Sequence, residues 1–428
     1  MSSTGDTEIV RTEALIRLFK SDRFRPLGGV TAQASQALSS FGLQFVAARM
    51  LGVDGLGRFA VLFGFIVVMT AVTSGFVGDS LTVLERSDGA IRSALQCWLL
   101  VFAVATFSVM SAGAVLTGFL DGVDSLAFGV ASTMFVVEDT IRRYLMAVIQ
   151  FWRIVLVDLT ALFAALAVVI LGGSVDLGLL LWALAGGQAM AIIVGWRLIP
   201  TPERFFAKRK PAAMAAVARF GVWRALQQTV RAATLALVRI ICLLVVSAAA
   251  VGELASARIY MAPTILVVGG VSSYLFASFA QSKNVAIDSL LRSADRVMRQ
   301  MALATLAIGA TFVLAIPWLG PLLTGGEYEI SLPIAAGWAA YATAIACVAP
   351  YGQLASVRGH ERSVLAWRTA DSALSLVATL VVVGILDTVS VVPLVLAVWP
   401  VLSGIAIRRV IQQDLQHTAH GMERHGSS

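Results

Sequence analysis

Charge is what this sequence has least of. Asp, Glu, Lys and Arg together make up 13% of its 428 residues, about half the share that soluble globular domains carry. That shortage excludes a soluble enzyme, and a disordered or collagenous chain fails on the same arithmetic. Cysteine is scarce too. Cys97, Cys242 and Cys347 all lie inside apolar runs, where thiols behave as small hydrophobes, so a disulfide framework is excluded. Histidine numbers four, and His417, His420 and His425 are spaced loosely in a polar tail, which makes no built metal site. The chain carries no nucleotide loop of Walker type, no metal-ligand cluster and no nucleophile–base pairing. No cofactor is expected, and an ATP-driven pump or an intramembrane protease has no support.

Apolar residues fill the space that charge leaves, at 58% of the chain and a mean hydropathy of +0.85. A bilayer-spanning helix needs roughly 20 mostly apolar residues, and twelve such stretches follow one another: 27–48, 57–78, 93–119, 125–148, 154–173, 177–198, 222–248, 255–279, 299–324, 331–355, 364–386 and 389–407. The expected fold is therefore an all-α polytopic membrane protein with twelve transmembrane helices. Residues 1–26 are polar and basic, so no secretory signal peptide is expected there. Leu15, Leu18 and Phe19 beside Arg17 and Lys20 suit either a short helix on the membrane surface or a solvated tail.

The connecting segments sort by charge. Twenty-one Lys and Arg fall on the side of the N-terminus, against Arg49 and Arg58 on the other, where Asp54, Asp121, Asp124, Asp176, Glu253, Glu327, Glu329 and Asp387 gather. By the positive-inside rule both termini are expected in the cytoplasm. The net charge of +7 thus reads as topology and contact with membrane lipids, with no nucleic-acid partner. The basic segment 199–221, with Lys208, Arg209 and Lys210, divides the chain into an N-lobe (27–198) and a C-lobe (222–407), with a tail at 408–428. The outer loops are all short, which argues against membrane glycosyltransferases and polymerases.

The halves share a feature. Aligning Gly57 with Gly252 puts Ala60 on Ala255, so a short turn leads into a small-residue helix start after the first helix of each half, as in duplicated transporters. The stretch Ala47-Ala48-Arg49-Met50-Leu51-Gly52-Val53-Asp54-Gly55-Leu56-Gly57-Arg58-Phe59-Ala60 resembles the A-R-x-L-G-x-x-x-Y/F-G-x-F/Y-A signature of Wzx-like polysaccharide flippases. These belong to the multidrug/oligosaccharidyl-lipid/polysaccharide (MOP) exporter superfamily. Leu56 stands where the signature has an aromatic. Arg142-Arg143-Tyr144-Leu145 and the stretch from Gly252 to Arg258 are similar to segments of the same proteins. The resemblance implies a MATE-like arrangement of two six-helix bundles around a central cavity that opens alternately to each side. It further implies a polyprenyl-pyrophosphate-linked oligosaccharide as substrate, with a polysaccharide polymerase or glycosyltransferases as partners.

The candidate site rests on charges inside spans, where an arginine costs about 2.5–3.5 kcal/mol even on the lenient insertion scale. Arg142, Arg143, Arg197, Arg224, Arg231, Arg239, Arg258, Arg299 and Arg368 lie within spans or at their ends. At about 100° per residue, Arg224, Gln227, Gln228, Arg231 and Arg239 share an arc of about 120° on the seventh span. No acid lies on that helix, so the stripe is expected to line a cavity and to meet an anion such as pyrophosphate, which suits the arginine fork. Gln33, Gln36, Ser40 and Gln44 share a face of the first span, suited to sugar hydroxyls or to gluing helices. Glu138–Arg142 and Asp139–Arg143 are i,i+4 pairs in the favourable order, either self-compensated or an ion-coupling site that frees an arginine for phosphate. Arg368 and Asp371 allow a smaller version at i,i+3. Pro263, Pro317 and Pro350 mark kinks or hinges. The rivals are a drug/cation antiporter of the same superfamily, whose site should be acidic and aromatic, and a non-transporting scaffold of a polysaccharide assembly complex, which has no use for buried arginines.

Overall fold

The computed structural model describes residues 25–84, 88–148, 150–200, 211–281 and 285–426. The expectations for residues 1–24 and for the basic run at 208–210 lie outside the described residues. Among the described residues there is no strand. The first half folds as α1 (Arg25–Met50), α2 (Gly52–Thr73), a π-helical segment (Ser74–Gly78), α3 (Asp79–Val83), α4 (Gly89–Leu116), α5 (Gly122–Ala147), α6 (Phe151–Gly172) and α7 (Leu177–Leu198). The second half folds as α8 (Pro211–Val245), α9 (Ala248–Tyr260), α10 (Ala262–Gln281), α11 (Ile287–Leu314), α12 (Ile316–Thr324), α13 (Leu332–Val357), α14 (Glu361–Leu386) and α15 (Val392–Gly426).

The chain is an all-α polytopic membrane protein. Nine of the described helices are long and apolar enough to cross a membrane, and a tenth crossing is the bent pair α9–α10. The remaining two rods are α1 and α5, each of 26 residues, about 39 Å at 1.5 Å per residue. Their polar stripes, amides on α1 and ionic groups on α5, lower their hydropathy. Two of the opposite-face acids prove to be helix caps. Asp121 accepts from the Asp124 N–H at 2.8 Å and Asp176 from the Leu179 N–H at 2.7 Å, satisfying amides that a helix start leaves unpaired.

Prolines set two of the breaks. α9 and α10 meet at 58° around Met261, because Pro263 cannot donate to the preceding turn and sits most easily in the first turn of a new helix. Pro317 likewise opens α12 after α11 ends at Leu314. Pro350 lies inside an unbroken α13. Three helices outrun the apolar stretches that announced them. α8 begins at Pro211, α11 at Ile287, and α15 continues to Gly426, where a tail was expected from 408.

The core is one body on one face and two on the other. On the face away from the termini, Leu56, Phe59 and Leu184 of the N-lobe are buried in one cluster with Val251, Leu254 and Trp338 of the C-lobe. On the terminal face that cluster gives way to two, one around Phe76, Tyr144 and Ile154 and one around Leu275, Tyr351 and Ile407. The seal on the far face is tight. A Cβ on Gly57 would overlap the carbonyl of Ala248, and one on Gly252 would overlap that of Val53, so the two glycines of the repeat pack directly against each other. Arg49 donates to the Leu322 carbonyl at 3.3 Å and Tyr328 to the Ala48 carbonyl at 3.2 Å. Burial pushes the Tyr328 phenol up to about 12, so it stays a hydrogen-bond donor at neutral pH.

Candidate functional site

The gap between the lobes holds two adjoining chambers. The larger, about 540 Å³, is lined by Gln227, Gln228 and Arg231 of α8, Arg258 of α9, Tyr341 and Gln353 of α13, and Arg368 and Asp371 of α14. The smaller, about 420 Å³, is walled by Ala34, Leu38 and Phe41 of α1, Phe63 and Val67 of α2, and Pro263 and Leu266 of α10, with Arg239 and Arg258 as its cations. Arg258, Val67, Ala232, Leu235 and Ile265 line both. One chamber is polar and the other oily, and arginine marks their junction.

Four guanidiniums thus converge from three helices. Arg231 lies over the Tyr341 ring at 5.8 Å and Arg258 over the Trp338 ring at 5.7 Å, which tethers each cation without neutralising it. Arg239 donates to the Ala60 carbonyl at 2.9 Å. Among the described residues, Arg231, Arg239, Arg258 and Arg368 have no carboxylate within 4 Å. Asp371 shares the larger chamber but accepts from Ser403 at 3.2 Å, so the i,i+3 pair with Arg368 is not closed. Four cations against one acid leave the chambers strongly positive.

Arg224 departs from the expected stripe. It is neutralised by Asp79, with Nη2 at 2.7 Å and Nε at 2.9 Å from Oδ2, and its Nη1 donates to Gln227 at 2.9 Å. Absence of an acid on its own helix was no guide, because the second rod runs on past 78 through the π segment and delivers Asp79 to α8. Gln228 also reaches Asp79, at 3.4 Å. Gln44 lines the oily chamber and bonds back to the Ser40 carbonyl at 3.0 Å. Gln36 is half-buried on α1, and the side chain of Gln33 lies outside the described residues.

The pairs on α5 belong to a larger buried network. Arg142, 2% exposed, holds Asp158 of α6 through Nε at 2.7 Å and Nη2 at 3.4 Å, and Ser35 of α1 also donates to Asp158. Glu138 and Asp139 stand farther from Arg142, each at 3.7 Å. Arg143 lies 3.6 Å from Asp79 and 3.7 Å from Asp139. The expected i,i+4 contacts are present, but the tightest partner of Arg142 is on another helix. Arg142 therefore faces the interior of the N-lobe, away from both chambers, while Arg143 is half-buried between Asp139 and Asp79.

No family model matches the sequence, and no curated protein matches it. Solved structures do. An inward-facing conformation of a multidrug resistance MATE family transporter of the MOP superfamily superposes with a TM-score of 0.70 at 9% identity, covering 92% of this chain and 98% of that one. An outward-facing conformation of such a transporter gives 0.62 at 10% identity, covering 96% and 98%. A MATE structure in the straight conformation also gives 0.62 at 10%, covering 92% and 95%. The fold is the MATE fold.

Within the MATE fold of this chain, sequence reasoning left five residues out of the stripe and the i,i+4 pairs it assembled. Arg258 and Arg368 were visible as arginines inside spans, Arg368 only as the i,i+3 neighbour of Asp371, and neither belongs to a polar stripe such as that of α8. Asp79 and Asp158 were visible as acids at span ends, and the signal that could have found them is that an ionisable group in a span seeks a partner. Tyr341 looked like any aromatic in an apolar run.

Proposed function

We propose that the chain is an alternating-access transporter that moves an anionic amphiphile, a polyprenyl-pyrophosphate-linked oligosaccharide, from the cytoplasmic to the outer leaflet for polysaccharide assembly. The observation that carries this reading is the unneutralised set Arg231, Arg239, Arg258 and Arg368 at the junction of an oily and a polar chamber. A pyrophosphate accepts bidentate bonds from guanidinium forks. The oily chamber suits a prenyl chain, and the amides of Gln227, Gln228 and Gln353 suit sugar hydroxyls. The charge of the loops supports cytoplasmic termini, and the resemblance to Wzx-like flippases supports a bacterial inner membrane. The far-face seal at Gly57 and Gly252 then makes this an inward-facing state, supported by the higher score against the inward-facing neighbour.

Glu138 and Asp139 of the N-lobe network, with Asp371 in the chamber, are the candidates for coupling to a proton or cation gradient. A partner polymerase or glycosyltransferase would pass substrate on either side. The neighbours are named as multidrug transporters, but a site with four arginines and one aspartate repels the cationic drugs that an antiporter of that kind exports. A scaffold would gain nothing from unpaired cations within the spans, each costly to insert.

The test is competition at the site of the purified full-length chain in detergent. A short prenyl pyrophosphate is expected to bind, to be displaced by inorganic pyrophosphate, and to be indifferent to a lipophilic cation such as ethidium. Tight binding of ethidium with no binding of the prenyl pyrophosphate would favour the drug antiporter.

A further inference from the structure

α8 is divided in its attachments. By sequence it opens the second half, yet its N-terminal half is packed into the N-lobe: Ala213, Val217 and Ala225 share a core with Phe76, Tyr144 and Leu145. Trp98 of α4 donates to the Met214 carbonyl at 3.2 Å. Gly221 sits so close to the π segment that a Cβ there would meet the Phe76 carbonyl at 2.8 Å. The shortest ionic contact across this seam is Asp79–Arg224, at 2.7 Å, with Asp79 itself buried. Seven residues further along the same face, about 10.5 Å at 1.5 Å per residue, Arg231 meets Tyr341 of α13 in the chamber that Arg368 of α14 also lines. α8 thus carries one arginine held by the N-lobe and, two turns further on, another in a chamber walled mainly by C-lobe helices, with Val67 of α2 beside them.

We propose that Asp79 is a positioning residue: its hold on Arg224 latches the terminal part of α8 to the N-lobe and so sets Arg231 into register with the C-lobe arginines. The anion site is complete while the latch is closed and comes apart when α8 leaves α2. This inference rests on the anion reading above. It also has a sign that simple electrostatics cannot copy. Removing the Asp79 carboxylate makes the neighbourhood more positive and by Coulomb attraction alone should tighten an anion. Loss of the latch should loosen it.

The experiment measures inorganic pyrophosphate binding to the full-length chain in detergent by calorimetry. Asp79→Asn is expected to weaken binding about tenfold, the loss that follows when one charged donor leaves the site. In a background lacking the three native cysteines, Trp98→Cys with Met214→Cys, bridged by a short bifunctional thiol reagent that spans the space of the indole and so fixes α8 to α4, is expected to restore binding to Asp79→Asn. Unchanged or tighter binding by Asp79→Asn overturns the latch. Weakening that the cross-link does not restore overturns it as well, because that pattern marks general damage. Should Asp79→Asn fail to accumulate, Arg224→Met removes the same contact and the same rescue decides. A wild-type chain that binds no pyrophosphate overturns the anion reading, and the latch with it.

Discussion

Arg142 and Arg143 are neighbours in sequence and have different surroundings. Arg142 is sealed among Asp158, Glu138 and Asp139, with Asp158 closest. Breaking one side of a buried pair costs about 3–5 kcal/mol, so Asp158→Asn should lower the Tm of the purified chain in detergent and cut its yield. Glu138→Gln should behave differently. Arg142 keeps Asp158 at 2.7 Å, so the variant should fold and retain a Tm near wild type. If Glu138 carries the coupling ion, transport by this variant in proteoliposomes should no longer respond to an imposed gradient. A wild-type gradient response from Glu138→Gln would remove it from coupling and leave Asp139 and Asp371 as the candidates. The i,i+4 pairs were legible because helix periodicity speaks within one helix. The bond from Arg142 to Asp158 was not, since it joins helices whose mutual rotation no local pattern encodes.

Among the elements, the repeat of Gly57 and Gly252 was legible as an alignment, but its physical meaning was not. The two glycines are each other's packing surface, and they seal one face by letting α2 and α9 touch backbone to backbone. Forcing a methyl into such a contact costs about 1–3 kcal/mol of overpacking. Gly57→Ala should therefore bias the chain toward opening on that face, read as faster labelling by a membrane-impermeant thiol reagent of a cysteine introduced beside the seal. Labelling no faster than in the wild-type background would contradict the gate. Hydropathy located the rods to within a few residues where they end in loops. It missed the overruns of α8, α11 and α15, whose polar faces dilute the apolar signal, and the π segment that carries α2 on to Asp79. The breaks before Pro263 and Pro317 followed from proline chemistry, although Pro350 shows that the same residue can sit in an unbroken helix.

In the whole molecule, a shared core on one face and separate cores on the other make a wedge with the cavity between its limbs. Composition gave the class in advance, because a run of long apolar helices follows from the chain meeting a bilayer. The site was half legible. The stripe of α8 pointed to Arg231 and Arg239, which line the chambers, while Arg258 and Arg368 reach them only because α9 and α14 fold around the same gap. The central claim is that these arginines serve an anionic lipid-linked substrate. It is tested most directly by reconstituting the purified chain in proteoliposomes and following the flipping of a fluorescent polyprenyl-pyrophosphate-linked sugar. The wild-type chain should move the lipid between leaflets. Arg231→Ala combined with Arg239→Ala should reduce the rate about 100-fold or more, given roughly 1.5–3 kcal/mol per charged hydrogen bond, and lysine at both positions should recover only part of it. Wild-type flipping by the well-folded double alanine variant, or a wild-type chain that moves lipophilic cations and leaves the pyrophosphate lipid where it is, would contradict the account.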